Sequence, residues 1–173
     1  MENTFGTPII PDNEAERLAN LYAYEILETP PEGAFNNIAT IAAQMFKVPI
    51  ALISLVDKER VWFKANVGME GVTETSRGVS LCSLAVLDDQ VTVFENTLNG
   101  PCLLTTPLVA GEFGLRFYAA APLKTSDGYN IGAICVVDKE SRPFDAGDQR
   151  VLEHLAAIVM DELELRYLRR KSA

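Results

Sequence analysis

Two spacings of apolar residues alternate along the chain. Ala15, Leu18, Leu21 and Tyr22 recur at helical spacing behind an Asn13 and Glu16 pair that suits an N-cap and third position, so a first helix is expected to stop near Leu27, before Pro30 and Pro31. Thr29, Pro30 and Glu32 make a second start signal, a capping box with proline at the first helical position. The stripe Phe35, Ile38, Ala39, Ala42, Met45 and Phe46 follows, and Pro49 closes it. The spacing then shortens. Ile50 to Val56 is almost wholly apolar, as expected of a strand buried on both faces, and Val61 to Val67 returns after the polar turn 57–60, with Trp62 and Phe63 on opposite faces.

The middle of the chain is less regular. A Gly-, Thr- and Ser-rich loop spans 68–80, a short helix is expected over 81–87 and a short strand over 90–95. The segment 96–114 carries Gly100, Pro101, Pro107, Gly111 and Gly114 with little periodicity, and a connection of that length is usually a lid or binding loop. Residues 116–123 and 130–138 read as a hairpin around Asp127-Gly128. Asp145 then caps a long helix running to about Arg170. Its stripe Leu152, Leu155, Ile158, Val159 and Leu163 should bury against the sheet, while Leu165 and Leu168 continue among charges as a dimer seam or connector. Hairpins require antiparallel pairing, so the order predicts an α+β fold: a central antiparallel sheet, terminal helices on one face, and short helices and loops forming a pocket on the other. Residues 1–12 read as a loose N-terminal arm, 13–170 as a single domain and 171–173 as a tail.

Composition narrows the function classes. With 173 residues the chain suits one domain, and 15 Lys+Arg against 24 Asp+Glu leave a net charge of −9, unsuited to nucleic acid or anionic membranes. No run is apolar enough to span a membrane and no leader opens the chain, which together with three cysteines, too few for a disulfide scaffold, leads to the expectation of a cytoplasmic protein with reduced thiols.

Several ordered motifs resemble the GAF domains attached to bacterial sensor histidine kinases and diguanylate cyclases. They are Leu27-Glu-Thr-Pro-Pro-Glu-Gly-Ala-Phe35, Val48 to Asp57 followed by Arg60-Val-Trp-Phe-Lys64, Val79-Ser-Leu-Cys82 with Leu87-Asp-Asp89, Arg116 to Leu123, and Ile131 to Asp138, across about 23–157. The resemblance implies a sheet of five or six strands, packed terminal helices that commonly mediate homodimers, a small-molecule pocket on the opposite face, and a fused kinase or cyclase as output. It implies a sensory role in signal transduction, including two-component systems, and no activity as an enzyme. It names no ligand, and the cofactor is unknown.

Candidate ligand-binding residues are the polar and aromatic groups set in apolar strands and loops: Ser54, Trp62, Cys82, Thr105, Thr106 and Tyr118. Cys82 opens the predicted short helix, where a thiolate would feel the helix N-terminus, against the plain alternative of a small buried filler. Cys135, mid-strand, fits the filler reading better, and Cys102, after Pro101, is the cysteine expected to be exposed. One GAF-like family reduces free methionine sulfoxide with a nucleophilic and a resolving cysteine, so Cys82 and Cys102 open a thiol-dependent redox enzyme as an alternative. A ligand-free dimerisation module is the other. Cys82 is followed by Ser83, not the His of bilin-binding relatives, and the single histidine, His154, reads as an ordinary helix residue. No zinc spacing, phosphate loop or Ser-His-Asp set is evident, and Asp57, Asp88, Asp89 and Asp138 are adequately explained as turns and caps.

Overall fold

From the N-terminus, the computed structural model, which describes residues 1–172, runs through α1 (Glu14–Ala23), α2 (Gly33–Phe46), β1 (Ile50–Val56), β2 (Arg60–Val67) and β3 (Glu74–Ser76). It continues with α3 (Cys82–Ala85), β4 (Thr92–Phe94), 3-10 turns at Thr97–Asn99 and Pro101–Leu103, α4 (Pro107–Ala110), β5 (Phe117–Lys124), β6 (Asn130–Asp138) and α5 (Ala146–Ser172). The strands form one open antiparallel sheet in the order β3-β2-β1-β6-β5-β4. Both edges are three-residue strands, which limits the unpaired backbone on offer. At the central seam the backbones approach so closely that a Cβ on Gly132 would lie 2.0 Å from the Ser54 carbonyl oxygen, so only glycine fits.

One face of the sheet is covered by α1, α2 and α5. Phe35, Ile38, Leu152, Leu155 and Val159 from the helices meet Ile53, Leu55, Phe117, Ile134 and Val136 from the strands in one buried cluster. Each such side chain contributes about 1.5–3 kcal/mol by leaving water. The opposite, loop face has its own cluster, in which Leu52, Val61, Tyr118, Cys135 and Val137 from the sheet meet Cys82, Val86, Leu103 and Val109 from the short helices. The α+β architecture follows the expected layering.

Four local expectations are corrected. The segment 1–12 is not loose: Phe5 and Ile9 are buried in the loop-face cluster, and the Thr4 amide donates to the Gly78 carbonyl at 3.0 Å. The capping box before α2 does not form. The Glu32 carboxylate instead holds Lys64 and Arg166, because a buried ammonium on β2 needs that charge more than the helix end does. Ile158 faces solvent, with Leu165 and Leu168, while Met160 and Leu163 turn inward. The helix also continues through Lys171 and Ser172, where a tail was expected; Ala173 lies outside the described residues.

Candidate functional site

A buried polar group lies between the sheet and its short-helix roof. β1 brings Ser54, β5 brings Tyr118, β6 brings Cys135 and α3 brings Cys82 to one place; all four are inaccessible or nearly so. The Tyr118 hydroxyl donates to Cys82 Sγ at 3.1 Å. Cys82 and Cys135 lie in the same buried loop-face cluster, where the two thiols perturb each other. Ser54 Oγ donates to the Ala133 carbonyl at 3.1 Å, and the Cys82 amide donates to Ser80 Oγ at 3.3 Å. The register explains the convergence. Cys135 pairs with Leu52 and Ala120, one alternation from Ser54 and Tyr118, so all three strand residues point to the loop face.

The electrostatics divide the two thiols. The neighbouring Cys135 thiol first, and then the Tyr118 hydroxyl, hold the Cys82 thiol below its ordinary value although burial opposes it. Cys135 is pushed well above its ordinary value by the Cys82 sulfur and by burial. Tyr118 is raised by burial and by the neighbouring thiolate charge, so it stays a donor. The Tyr118 hydroxyl, donating at 3.1 Å, favours a negative charge on Cys82. The helix α3 has only four residues, so these side chains, rather than the helix end expected earlier, stabilise the charge.

The loop that delivers Cys82 is anchored by a carboxylate set between two buried guanidinium groups. Arg77, fully buried, is paired with Glu14 of α1, and Arg17 donates to the same carboxylate at 2.9 Å. Arg17 also donates to the Val56 carbonyl at 2.7 Å, and the Arg77 carbonyl accepts from Ser83 Oγ at 2.5 Å. The N-terminal arm then covers the roof. Thr105 Oγ1 donates to the Thr4 carbonyl at 2.9 Å, the Thr4 and Thr106 hydroxyls lie 3.2 Å apart, and Gly78 runs so close to the arm that a Cβ there would meet the Glu2 carbonyl oxygen at 2.6 Å.

The six candidate residues thus separate. Ser54, Cys82 and Tyr118 come together. Thr105 and Thr106 hold the arm rather than lining the interior. Trp62 is buried on the helix face, on the wrong side of the sheet from the other five. Segment 96–114 folds as short turns with Leu103 and Val109 buried beneath it. None of the five surface clefts described is lined by Ser54, Cys82 or Tyr118, and all three are buried beneath the roof. Sequence reasoning missed Cys135, Ser80, Glu14, Arg17 and Arg77. Cys135 reads from the sequence as a filler and Ser80 as a helix cap, and Glu14 and Arg17 flank Glu16 of the first helix's start signal; Arg77 stands near none.

The model of the GAF domain family matches residues 30–163, most of the chain. The chain is a GAF domain. It is 39% identical over 156 residues to a cyclic di-GMP phosphodiesterase of Pseudomonas aeruginosa, covering 90% of this GAF domain and 26% of the relative, so the chain spans about a quarter of that protein's length. Among solved structures it is similar to the GAF domain of an Acinetobacter phosphoenolpyruvate-protein phosphotransferase, with TM-score 0.66, 16% identity and coverage of 91% of this chain and 96% of that one. It is also similar to the free methionine-R-sulfoxide reductase of Neisseria meningitidis, with TM-score 0.63, 19% identity and 87% of each chain covered. These two likenesses establish the shared fold. The expectation of a chain without enzymatic activity is overturned by these relatives: one is named a phosphodiesterase, and the fold also serves a sulfoxide reductase. The role of this GAF domain is sensory and regulatory in class. Among the described residues, no helix is long and apolar enough to cross a membrane.

Proposed function

We propose that this GAF domain is the sensory module of a longer cyclic di-GMP phosphodiesterase, and that it answers a small molecule on its loop face. The observation that carries this reading is the 39% identity spread over nine-tenths of this chain but only 26% of the relative, the pattern of one regulatory module within a larger protein. Ser54, Cys82 and Tyr118 supply the polar groups a ligand would meet. Because the interior is packed, the ligand takes the place of Phe5 and Ile9 as the arm lifts. It shifts the domain only by binding the lifted state more tightly than the covered one. The output is a cyclic dinucleotide enzyme rather than a kinase.

Helix α5 is the outgoing connector and the homodimer seam. His154, Ile158, Asp161, Leu165 and Leu168 are all exposed and recur at alternating steps of four and three, the spacing of a coiled-coil stripe that a second copy would cover. A cytoplasmic location goes with this reading, since free thiols persist in reducing compartments.

Native and denaturing mass spectra of the purified protein test both parts. Extra mass present only under native conditions, on a dimer, is the expected result. A bare monomer whose melting temperature is unmoved by a panel of nucleotides and metabolites would sink the reading.

A further inference from the structure

Two free thiols and a phenol lie buried in one cluster with Leu52, Val86 and Leu103; the phenol donates to Cys82 at 3.1 Å, and the two thiols perturb each other. The cysteines differ in what they can do. Cys82, on a short roof helix, is the sulfur that accepts from Tyr118. Cys135 is fixed in the middle of β6, between Leu52 and Ala120. Cys102, on the 3-10 turn, is partly exposed and belongs to no such network.

We propose that Cys82 and Cys135 are a redox pair that closes to a disulfide when a small hydroperoxide reaches it, and that the N-terminal arm gates its access. This goes beyond the ligand reading and does not rest on it. The Cys82 thiolate attacks one peroxide oxygen. The O–O bond breaks, and its electron pair leaves on the other oxygen, which takes up the proton given up by the Cys82 thiol and departs as an alcohol, or as water from hydrogen peroxide. Cys82 is then a sulfenic acid. The Cys135 sulfur attacks it, the S–O bond breaks, and the departing hydroxide takes the Cys135 proton as water while the S–S bond forms. Two thiols lose two electrons and one peroxide gains them; a dithiol reductant reverses the change. Tyr118, donating to Cys82 Sγ at 3.1 Å, is a positioning residue that holds the sulfur toward the pair.

Access is the limiting step, because both sulfurs are buried. The arm that covers them is held by few bonds: Thr4 to Gly78, and Thr4 to Thr105 and Thr106, with Phe5 and Ile9 inserted. Such a segment can open without unfolding the sheet. Phe5→Ala removes its main anchor. Gly78→Ala pushes it off from beneath, since the added Cβ meets Glu2.

The test treats the fully reduced protein with hydrogen peroxide, blocks remaining thiols by alkylation and maps the peptides by mass. A Cys82–Cys135 linked peptide is expected before any oxidation of Cys102. It should persist in Cys102→Ser, be missing in Cys82→Ser and Cys135→Ser, and disappear on reduction. In Phe5→Ala and Gly78→Ala, with unchanged circular dichroism, the link should form about tenfold faster, through more frequent local opening. Oxidation confined to Cys102 in a folded chain, or a Cys82–Cys102 link, would overturn the pair. Linkage rates unchanged in both folded arm variants would overturn the gate.

Discussion

The two faces of the sheet are built on opposite plans. On the helix face, three helices of ten residues or more bury a continuous apolar layer, and the polar groups stay at its margin. On the loop face, four-residue helices, two 3-10 turns and an N-terminal arm cover a smaller layer with thiols, a phenol and a serine at its centre. Each face nevertheless uses the same fastening, a carboxylate between two cations. Glu32 joins α2 to Lys64 of β2 and Arg166 of α5, and Glu14 joins α1 to Arg77 of the Cys82 loop through a site shared with Arg17. The helix face is held as a slab, and the loop face is held at its stem with a cover that can lift. Stability and responsiveness are thereby assigned to different sides of one sheet.

The largest effect should come from breaking the slab. Phe117→Ala empties a fully buried ring position on the helix face and should cost about 3–5 kcal/mol in chemical denaturation. In the still-folded protein the alkylation rate of Cys82 should not change; a change would mean that the faces are coupled. Glu32→Gln comes next. It leaves the Lys64 ammonium buried with only Thr29 and the Pro30 carbonyl as partners, a loss of about 1–3 kcal/mol. The pH dependence follows the same pair. Burial raises the Glu32 carboxyl, but Lys64 and Arg166 outweigh burial and hold it below its ordinary value. Its contribution is thus complete above the unfolded value of about 4.3 and is lost as pH falls through the lower folded one. Unfolding curves taken down through that range should fall less steeply for Glu32→Gln; parallel curves would remove Glu32 from the account.

Tyr118→Phe acts on the loop face alone. One buried hydrogen bond goes, worth about 1 kcal/mol, while the ring still fills its place. The thiolate absorbance of Cys82 should then appear at higher pH, since a donor to the charged form is missing. An unmoved titration would show that Tyr118 has no hold on the sulfur. Smallest in stability is the pair Leu165→Glu and Leu168→Glu, exposed positions expected to change unfolding by less than about 0.5 kcal/mol. Light scattering should nonetheless report a monomer, and a surviving dimer would place the seam elsewhere.

The contrast also explains what could be read in advance. The helix face repeats, so Phe35, Ile38, Leu152 and Leu155 announced it by spacing alone. The loop face depends on neighbours distant in sequence. Phe5 and Ile9 are isolated among Gly and Pro, and nothing local says that they join a cluster with Leu52, Cys82 and Leu103, or that Thr4 bonds to Gly78 and Thr106. Trp62 was misplaced because β2 is apolar on both sides, so alternation separates Trp62 from Phe63 without saying which meets the roof. Alternation from Trp62 puts Lys64 on the helix face too, and the register shift opposite Ile53 and Ser54, where Lys64 is the extra residue of β2, returns Ala65 to that face. Cys135 was passed over because a strand buried on both faces carries no polar signal, and only its pairing with Leu52 and Ala120 puts it beside Tyr118. The capping box failed for a physical reason as well: a solvated helix end is satisfied by water, whereas a buried lysine is not.

One consequence follows from where the arm runs. Glu2 passes within van der Waals range of Gly78, and Thr4 is stitched to the loop that ends in Cys82. A pull or twist applied to the chain ahead of Met1 is therefore a force on the roof itself. An affinity tag, a membrane tether or a neighbouring domain fused there becomes a lever. The same arm that gates a chemical signal would also take a mechanical one.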